Sequence, residues 1–170
     1  MAKITIKPRE LAALKLPELQ LKAAALSIGK EDLRGLGNQV VTEMKKFISR
    51  GVSPIREIGR FPEYKTPERY PRRVQRKYPD KKNRPVNLKL SGKFLDDLKV
   101  TSIRLGSNPS FNIGYSSSLS KQKEQGHREG ANGQLKRPTI PNNNEEFAVS
   151  IQKIITDEMI RRINKTFNQK

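Results

Sequence analysis

Several residue types that support catalysis, metal binding or membrane insertion are absent from this chain or scarce in it. Its 170 residues include no cysteine and a single histidine, His127. The absence of cysteine excludes disulfides, thiolate nucleophiles and cysteine metal sites. One histidine leaves almost nothing from which to build a histidine zinc site or a Ser/His relay. The sequence therefore argues against the common kinds of enzyme that depend on these residues.

Long hydrophobic runs are also missing. No stretch of about 18 apolar residues occurs, as a transmembrane helix would require. The opening residues, "MAKITIKPRE", contain no apolar run of signal-peptide length. We therefore expect a soluble protein that has no membrane partner and is not secreted through a signal peptide.

Positive charge is what the chain has in excess. Its net charge is +18, hydrophobic residues make up 34% and charged residues 31%. A chain of this length forms one domain of modest core, or one domain with an extended arm, and the low apolar content places part of it outside a well-packed core. The charge predicts a polyanion as partner, with nucleic acid first, or else an acidic protein surface.

Apolar spacing predicts the secondary structure of the first third. The stretch "KITIKPREL" can open with a short strand, and residues 11–28 are interpreted as two short helices broken at Pro17. Helical spacing of apolar residues predicts a helix over residues 31–50, which Gly51 would end.

The second half carries clearer signals. Ser91 is expected to cap a short helix in "NLKLSGKFLDDLKV", and "TSIRL" and "SFNIGY" alternate as the strands of a β-hairpin around "GSNP". Ile103 and Leu105 are predicted to share a face of the first of these strands. A polar helix in "SSSLSKQKEQGHREG" and an extended "KRPTIP" follow. Asn143 is expected to cap a C-terminal amphipathic helix that includes Phe147 and Ile151.

These elements predict an α+β fold, in which a small antiparallel sheet is packed by a helix of the N-terminal half and by the C-terminal amphipathic helix. We divide the chain into an N-terminal segment, residues 1–30, and a single α+β domain, residues 31–170. The domain includes residues 52–86, which we call the basic arm.

The basic arm has no sustained period of either kind. Between Arg56 and Arg84 it holds eleven Lys or Arg, four Asp or Glu and four prolines, and these prolines exclude a long helix. Four aromatic residues are spaced through it, so we expect the arm to pack its rings on a surface. Three interpretations stay open: a solvated charge run, a surface for nucleic acid, or a surface for an acidic protein.

Two patterns could suggest an enzyme. Asp80 followed by Asp97 and Lys99 has the outline of a metal-dependent nuclease, although a charge-rich chain produces such a pattern readily by accident. His127 and Glu129 in "GHREG" could form an acid–base pair, but a solvated glycine-containing loop explains them better. We predict no catalytic, metal-binding or cofactor-binding residue and no cofactor.

The order of the segments resembles a known family. The series "GRFPEYK", "RYPRRVQRKYPDKKNRPVNLKLSG", "FLDDLKV", "IGY", "HREG" and "RPTIP" before an amphipathic helix is similar to the neck and tail-completion proteins of tailed bacteriophages, the virion morphogenesis group of Mu-like and lambdoid phages. The resemblance covers roughly residues 48–167. The residues that match the family's short motifs are Pro85, Val86, Asn87, Leu88, Ser91, Gly92, Gly130, Arg137, Pro138 and Pro141.

The resemblance implies a structural virion protein without enzymatic activity. It would be assembled in the bacterial host cytoplasm and located at the head–tail junction, as a connector or tail-completion component. Its partners would be other copies of itself in a six-fold or twelve-fold ring, the neighbouring portal or connector and tail proteins, and packaged double-stranded DNA in non-specific contact.

We expect residues 87–92 and 137–141 to define the fold. The residues expected to contact either DNA or a neighbouring subunit are Arg69, Arg72, Arg73, Arg76, Lys77, Lys81, Lys82 and Arg84. A basic nucleic-acid-binding module of ribosomal-protein type explains the charge and the lack of cysteine equally well and is the alternative.

Overall fold

A computed structural model describes most of the chain. The described residues are 2–5, 28–63, 76–82, 85–89, 91–106, 108–130 and 135–167. The two short helices predicted within residues 11–28 lie almost entirely outside them.

The long helix predicted near residue 31 is confirmed as α1, Lys30–Ser49. Its apolar residues recur every three or four positions, so one stripe of the helix is buried and includes Leu33, Val40 and Met44. The Asp32 carboxylate accepts a hydrogen bond from the Gly29 N–H at 3.0 Å at the start of the helix. Gly51, with a φ of 76°, follows the C-terminal end, as predicted.

The sheet has three antiparallel strands: β1 (Ala2–Thr5), β2 (Leu98–Arg104) and β3 (Ser110–Tyr115). Their order is β1-β3-β2, so β3 is central. The predicted hairpin of β2 and β3 is confirmed. Phe111, Ile113 and Tyr115, which were expected to share a face of β3, are all buried, and Ser110 and Gly114 are buried as well. Residues 2–5 belong to the same sheet as the hairpin. The division of the chain into an N-terminal segment, residues 1–30, and a domain, residues 31–170, stays a prediction.

Strand β2 differs from its prediction at both ends. It begins at Leu98, inside the stretch "NLKLSGKFLDDLKV" that was expected to hold the short helix, and it ends at Arg104, so that Leu105 lies outside it and is half exposed. The pairing register shifts between Val100 and Ser102, as it does when a bulge adds one residue to a strand. The extra residue lets Val100 and Ile103, three positions apart, both pack against the core.

Helix α2 is a single turn, Lys93–Asp96, and helix α3 spans Ser118–Glu129. The predicted cap of α2 was wrong: Gly92, with a φ of 84°, occupies the N-cap position, and Ser91 precedes it. The polar helix α3 is confirmed. Ser117 caps its start, and Gly130 ends it in the left-handed conformation.

The C-terminal helix α4 spans Val149–Phe167 and begins later than predicted. Asn143 does not cap it, because residues 142–145 form a turn instead. Phe147 lies before the helix and bridges to Ile55 in an isolated antiparallel pair. The backbone bonds of this pair hold the chain extended, so the helix can start only after it.

Helices α1 and α3 pack on the sheet, α1 on β2 and β3 and α3 on β3. Helix α4 packs mainly on α1. Buried apolar residues of α1, β3 and α4 form one core with Val86 and Phe94. The α+β fold class is confirmed. Among the described helices, none is long and apolar enough to cross a bilayer.

Candidate interaction surface: the basic arm and its anchors

The basic arm leaves the body and returns to it at one place, next to the end of α1. Gly51 lies against Pro85: a Cβ atom at residue 51 would be 2.4 Å from the Cβ of Pro85 and 3.0 Å from the carbonyl oxygen of Val86. Val86 itself is buried. Only a glycine permits this approach at a positive φ, so the arm is a loop closed at its base.

The first part of the arm is folded against the body. Its backbone closes a small loop, in which the Ser53 N–H donates to the Gly59 carbonyl and the Phe61 N–H to the Gly51 carbonyl, both at 2.8 Å. The Phe61 ring is buried. The buried Ser53 hydroxyl donates to the Pro138 carbonyl at 2.8 Å. The expectation that the arm packs an aromatic ring is therefore met at Phe61, while Tyr64 and Tyr70 lie outside the described residues.

Arg137 is the first of two buried polar side chains that hold the arm. It is 2% exposed. Its Nε donates to the carbonyl oxygen of Pro62 at 2.9 Å, and its Nη2 donates to that of Glu63 at 3.0 Å. A buried guanidinium is tolerated only when its N–H groups are bonded. Here the acceptors are backbone carbonyl groups in the first part of the arm. Arg137 therefore fixes the outgoing chain of the arm.

The segment that carries Arg137 is itself held by α3. The Glu124 carboxylate accepts hydrogen bonds from the N–H groups of Thr139 and Ile140 at 3.1 and 3.2 Å and from the Thr139 hydroxyl. The Thr139 hydroxyl also bonds to the Tyr115 hydroxyl of β3 at 2.9 Å. Burial raises the pKa of Glu124 and the pKa of Tyr115 above their usual values. Residues 137–141 are all buried, and Pro138 and Pro141 are among them.

Asn87 is the second buried side chain that holds the arm, and it fixes the returning chain. Its Oδ1 accepts from the N–H groups of Lys82 and Lys89 at 3.1 and 3.2 Å. Its Nδ2 donates to the Asp80 carbonyl at 2.8 Å, and the Lys89 ammonium pairs with the Asp80 carboxylate at 3.0 Å. We call Asn87 and Arg137 the two anchors. The next residue, Leu88, has a φ of 50°, which a leucine rarely adopts.

Four of the predicted contact residues lie on the segment that Asn87 holds. Arg76, Lys77 and Lys82 are exposed, and Lys81 is half-buried. The Lys77 ammonium lies 5.6 Å from the centre of the Tyr78 ring. These four cations lie on residues 76–82, which we call the cationic turn. The other predicted contact residues, Arg69, Arg72, Arg73 and Arg84, lie outside the described residues.

Sequence analysis missed three side chains that support this surface: Ser53, Glu124 and Arg128. Arg128 donates to the Ile140 carbonyl and pairs with Glu145 at 3.0 Å. Glu124 and Arg128 are four residues apart on a polar helix, which was a signal for neighbouring side chains on one face. Nothing in the sequence marked Ser53.

Asp97 belongs to the pattern that suggested a metal-dependent nuclease. Asp97 bonds to the hydroxyls of Ser116 and Ser117 and to the Ser117 N–H, which places it at the start of α3. Its burial alone would raise its pKa, but these hydrogen bonds outweigh that effect and lower the pKa. In the described part of the chain, no group of three or more His, Cys, Asp or Glu is placed to hold a metal ion.

His127 was expected in a loop, and this was wrong, because it lies in the last turn of α3. Its ring is 5.7 Å from that of Phe94, which stacks on Tyr115. Its Nδ1 is buried without a hydrogen-bond partner in the structure. Burial, helped by the charges of Arg137, Lys123 and Lys81, lowers the pKa of His127 to about 4. His127 is thus a neutral packing residue beneath the arm.

Comparisons of the chain with protein-family models, with curated proteins and with solved structures found no match. The resemblance to the phage neck and tail-completion proteins therefore stays a prediction that depends on the quoted motifs.

Proposed function

We propose that this protein is a non-enzymatic structural component of a tailed-bacteriophage particle, located at the head–tail junction, where copies of it join in a ring around the DNA channel. The observation that carries the proposal is the construction of the basic arm. Its base is closed, two buried polar side chains fix its ends, and its cationic turn is left on the surface.

This construction suits an assembly protein because a segment held in place before binding loses less entropy when a partner covers it. The buried guanidinium of Arg137 serves the position of the arm, since it donates to backbone carbonyls of residues 62 and 63 as well as to that of residue 135. A ring subunit can also expose a charged arm that a neighbouring subunit then covers, which agrees with the low apolar content of the chain.

The cationic turn would meet one of two partners in such a ring. Facing the channel, its lysines and arginines would screen the phosphates of passing DNA, and non-specific contacts of this kind permit sliding. Facing sideways, they would contact an acidic surface of the next subunit or of the adjoining portal, connector or tail protein. In both orientations the proposed role depends on the assembly of copies of the chain into a ring.

The direct test is the mass of the purified full chain, measured by size exclusion with light scattering and followed by negative-stain imaging. We expect rings of six or twelve copies. A monomer that co-purifies with RNA would contradict the proposal and support the nucleic-acid-binding module of ribosomal-protein type.

A variant of the cationic turn separates the two partners. With Arg76, Lys77, Lys81 and Lys82 all changed to Gln, loss of the rings places the turn at the contact between subunits, whereas rings that still form leave DNA or an adjoining virion protein as its partner. A matched variant with Lys121, Lys136, Lys153 and Lys165 changed to Gln removes the same charge from exposed positions outside the arm and should leave the rings intact.

A further inference from the structure

His127 lies where the body of the protein meets both ends of the basic arm. It is in the last turn of α3, and its backbone carbonyl accepts the Arg137 N–H at 2.6 Å. Its ring lies 5.7 Å from the ring of Phe94 on α2, which stacks on Tyr115 of β3 at 4.5 Å. Lys81 of the cationic turn is near enough to act on the charge of the ring. One side chain is therefore close both to the anchor of the outgoing chain and to the returning chain.

The surroundings of the His127 ring suit its neutral form. Its Nδ1 is buried and has no hydrogen-bond partner among the described residues. A neutral imidazole can carry its proton on Nε2 and leave Nδ1 as an unpaired acceptor. An imidazolium carries N–H groups on both nitrogens, so protonation would bury a charged donor that has no acceptor.

The charged groups that act on this imidazole are cations from three parts of the structure. Arg137 belongs to the segment that fixes the outgoing chain, Lys81 to the cationic turn and Lys123 to α3 itself. Glu124 on the same helix is bonded instead to the backbone that follows Arg137, and burial keeps the Tyr115 phenol uncharged by raising its pKa. A proton on the ring would therefore lie among like charges, which repel strongly where water is excluded.

The cationic turn is the part of these surroundings that moves at the least cost. Asn87 holds it through a hydrogen bond from the Lys82 N–H at 3.1 Å and one to the Asp80 carbonyl at 2.8 Å. The pair of Lys89 with Asp80 is exposed to solvent and contributes little. Arg137, by contrast, is buried and donates to backbone carbonyls, so it cannot turn away without leaving donors unpaired.

We propose that His127 is an acid-sensitive latch of the basic arm: when its ring gains a proton, the cationic turn moves away from the body while the α+β core stays folded. The movement separates Lys81 from the imidazolium and lets water reach the ring. The only chemical step is the gain of one proton from water, and its loss at neutral pH lets the turn close again. The latch goes beyond the ring function and does not depend on it, so either one can fail without the other.

The test is hydrogen-exchange mass spectrometry of the full chain at pH 7.5 and pH 4.5, corrected for the intrinsic pH dependence of exchange. The amides of Lys82 and Lys89 report on the turn, because both donate to Asn87. Their protection should fall by about tenfold or more at pH 4.5. Low concentrations of urea should leave this exchange unchanged, since a local opening exposes little surface, and should speed up exchange in α1.

Three variants assign the effect to the latch. His127→Gln cannot be protonated, so the fall in protection should shrink to about twofold or less. Lys81→Glu gives the imidazolium an opposite charge on the turn and should reduce the fall by about threefold. The matched control Lys77→Glu makes the same charge change on the same turn and should keep the full fall. Far-ultraviolet circular dichroism at both pH values confirms that each variant is folded.

Three results would overturn the proposal. The first is equal protection of the turn at the two pH values, and the second is a fall that persists in a folded His127→Gln variant. The third is exchange that accelerates equally in the turn and in α1 and rises with urea in both, because acid would then unfold the whole domain and not release the arm.

Discussion

The two anchors, Asn87 and Arg137, are buried polar side chains whose hydrogen bonds fix the position of one loop. Burying an amide or a guanidinium costs free energy unless its hydrogen-bonding groups are paired. Asn87 meets this demand with backbone groups of Asp80, Lys82 and Lys89, and Arg137 meets it across 75 positions of sequence. The sequence motifs marked both residues, but only the folded chain could reveal what they hold, because their acceptors are main-chain atoms that carry no sequence signal.

His127 makes stability sensitive to mild acid. Its pKa is about 4 in the folded protein and near 6.5 in an unfolded chain, so protonation favours unfolding. The stability that its neutral form contributes is complete above pH 6.5 and is lost as the pH falls toward 4. We expect the free energy of unfolding to drop by about 2 kcal/mol between pH 7.5 and pH 5 from this residue, measured by urea unfolding at each pH.

The variant His127→Gln is the control for that measurement, since it cannot be protonated and should lose this part of the pH dependence. The subtraction is needed because Glu124 lies one turn away with a raised pKa, and its protonation acts in the opposite direction. The groups that act on His127 from neighbouring elements, Arg137 and Lys81, are cations that hold its pKa down, as does Lys123 on α3 itself. Equal pH profiles for both proteins would show that His127 does not control this transition.

At the scale of elements, two glycines of α1 have opposite roles. A Cβ atom at Gly37 would lie 2.5 Å from the Cγ2 of Val100 and 3.1 Å from the Phe111 ring, whereas a Cβ at Gly35 meets nothing within 4 Å. Alanine favours a helix over glycine by about 1 kcal/mol. Gly35→Ala should therefore stabilise the protein by about 0.5–1 kcal/mol.

Gly37→Ala should destabilise by a net 1 kcal/mol or so, because overpacking at the α1–β2 contact costs about 1–3 kcal/mol and outweighs the same gain in helix propensity. Urea unfolding followed by the helical circular dichroism signal measures both variants. Changes of the same sign in the two variants would show that α1 can move away from the sheet and that Gly37 does not set its distance.

Local patterns predicted a helix or strand well where the sequence signal lies within that helix or strand. The apolar period of α1, the spaced apolar residues of β3 and the final glycine of α3 are local signals, and each of these elements was confirmed. Errors came where a distant contact decides the structure. Leu105 lies outside β2 because Arg104 already pairs with Ser110, the first residue of β3, and the bridge between Phe147 and Ile55 delayed the start of α4. Neither cause is visible in the residues beside it.

At the scale of the whole molecule, the charge was readable from composition, but its placement was not. The basic run from Arg56 to Arg84 marked the arm, and the structure adds that Arg56 and Arg60 at its start and Arg76, Lys77 and Lys82 of the cationic turn are exposed. A groove between α1 and β2 escaped sequence analysis, because Lys30, Arg34 and Lys99 stand far apart in the chain and line the same groove only when α1 packs on β2.

The salt dependence of DNA binding tests which charges act together. Each phosphate contact releases condensed counterions, so the slope of log K against log salt becomes steeper by about 0.9 per contact on duplex DNA. Changing Arg76, Lys77, Lys81 and Lys82 to Gln should flatten that slope by about 3 to 4, as measured by fluorescence anisotropy on a short duplex between low and moderate salt.

Changing Lys121, Lys136, Lys153 and Lys165 to Gln lowers the net charge equally and should flatten the slope far less, since those exposed lysines lie outside the arm. Equal flattening in the two variants would mean that DNA responds only to net charge, and an unchanged slope in the first variant would mean that the cationic turn contacts protein instead.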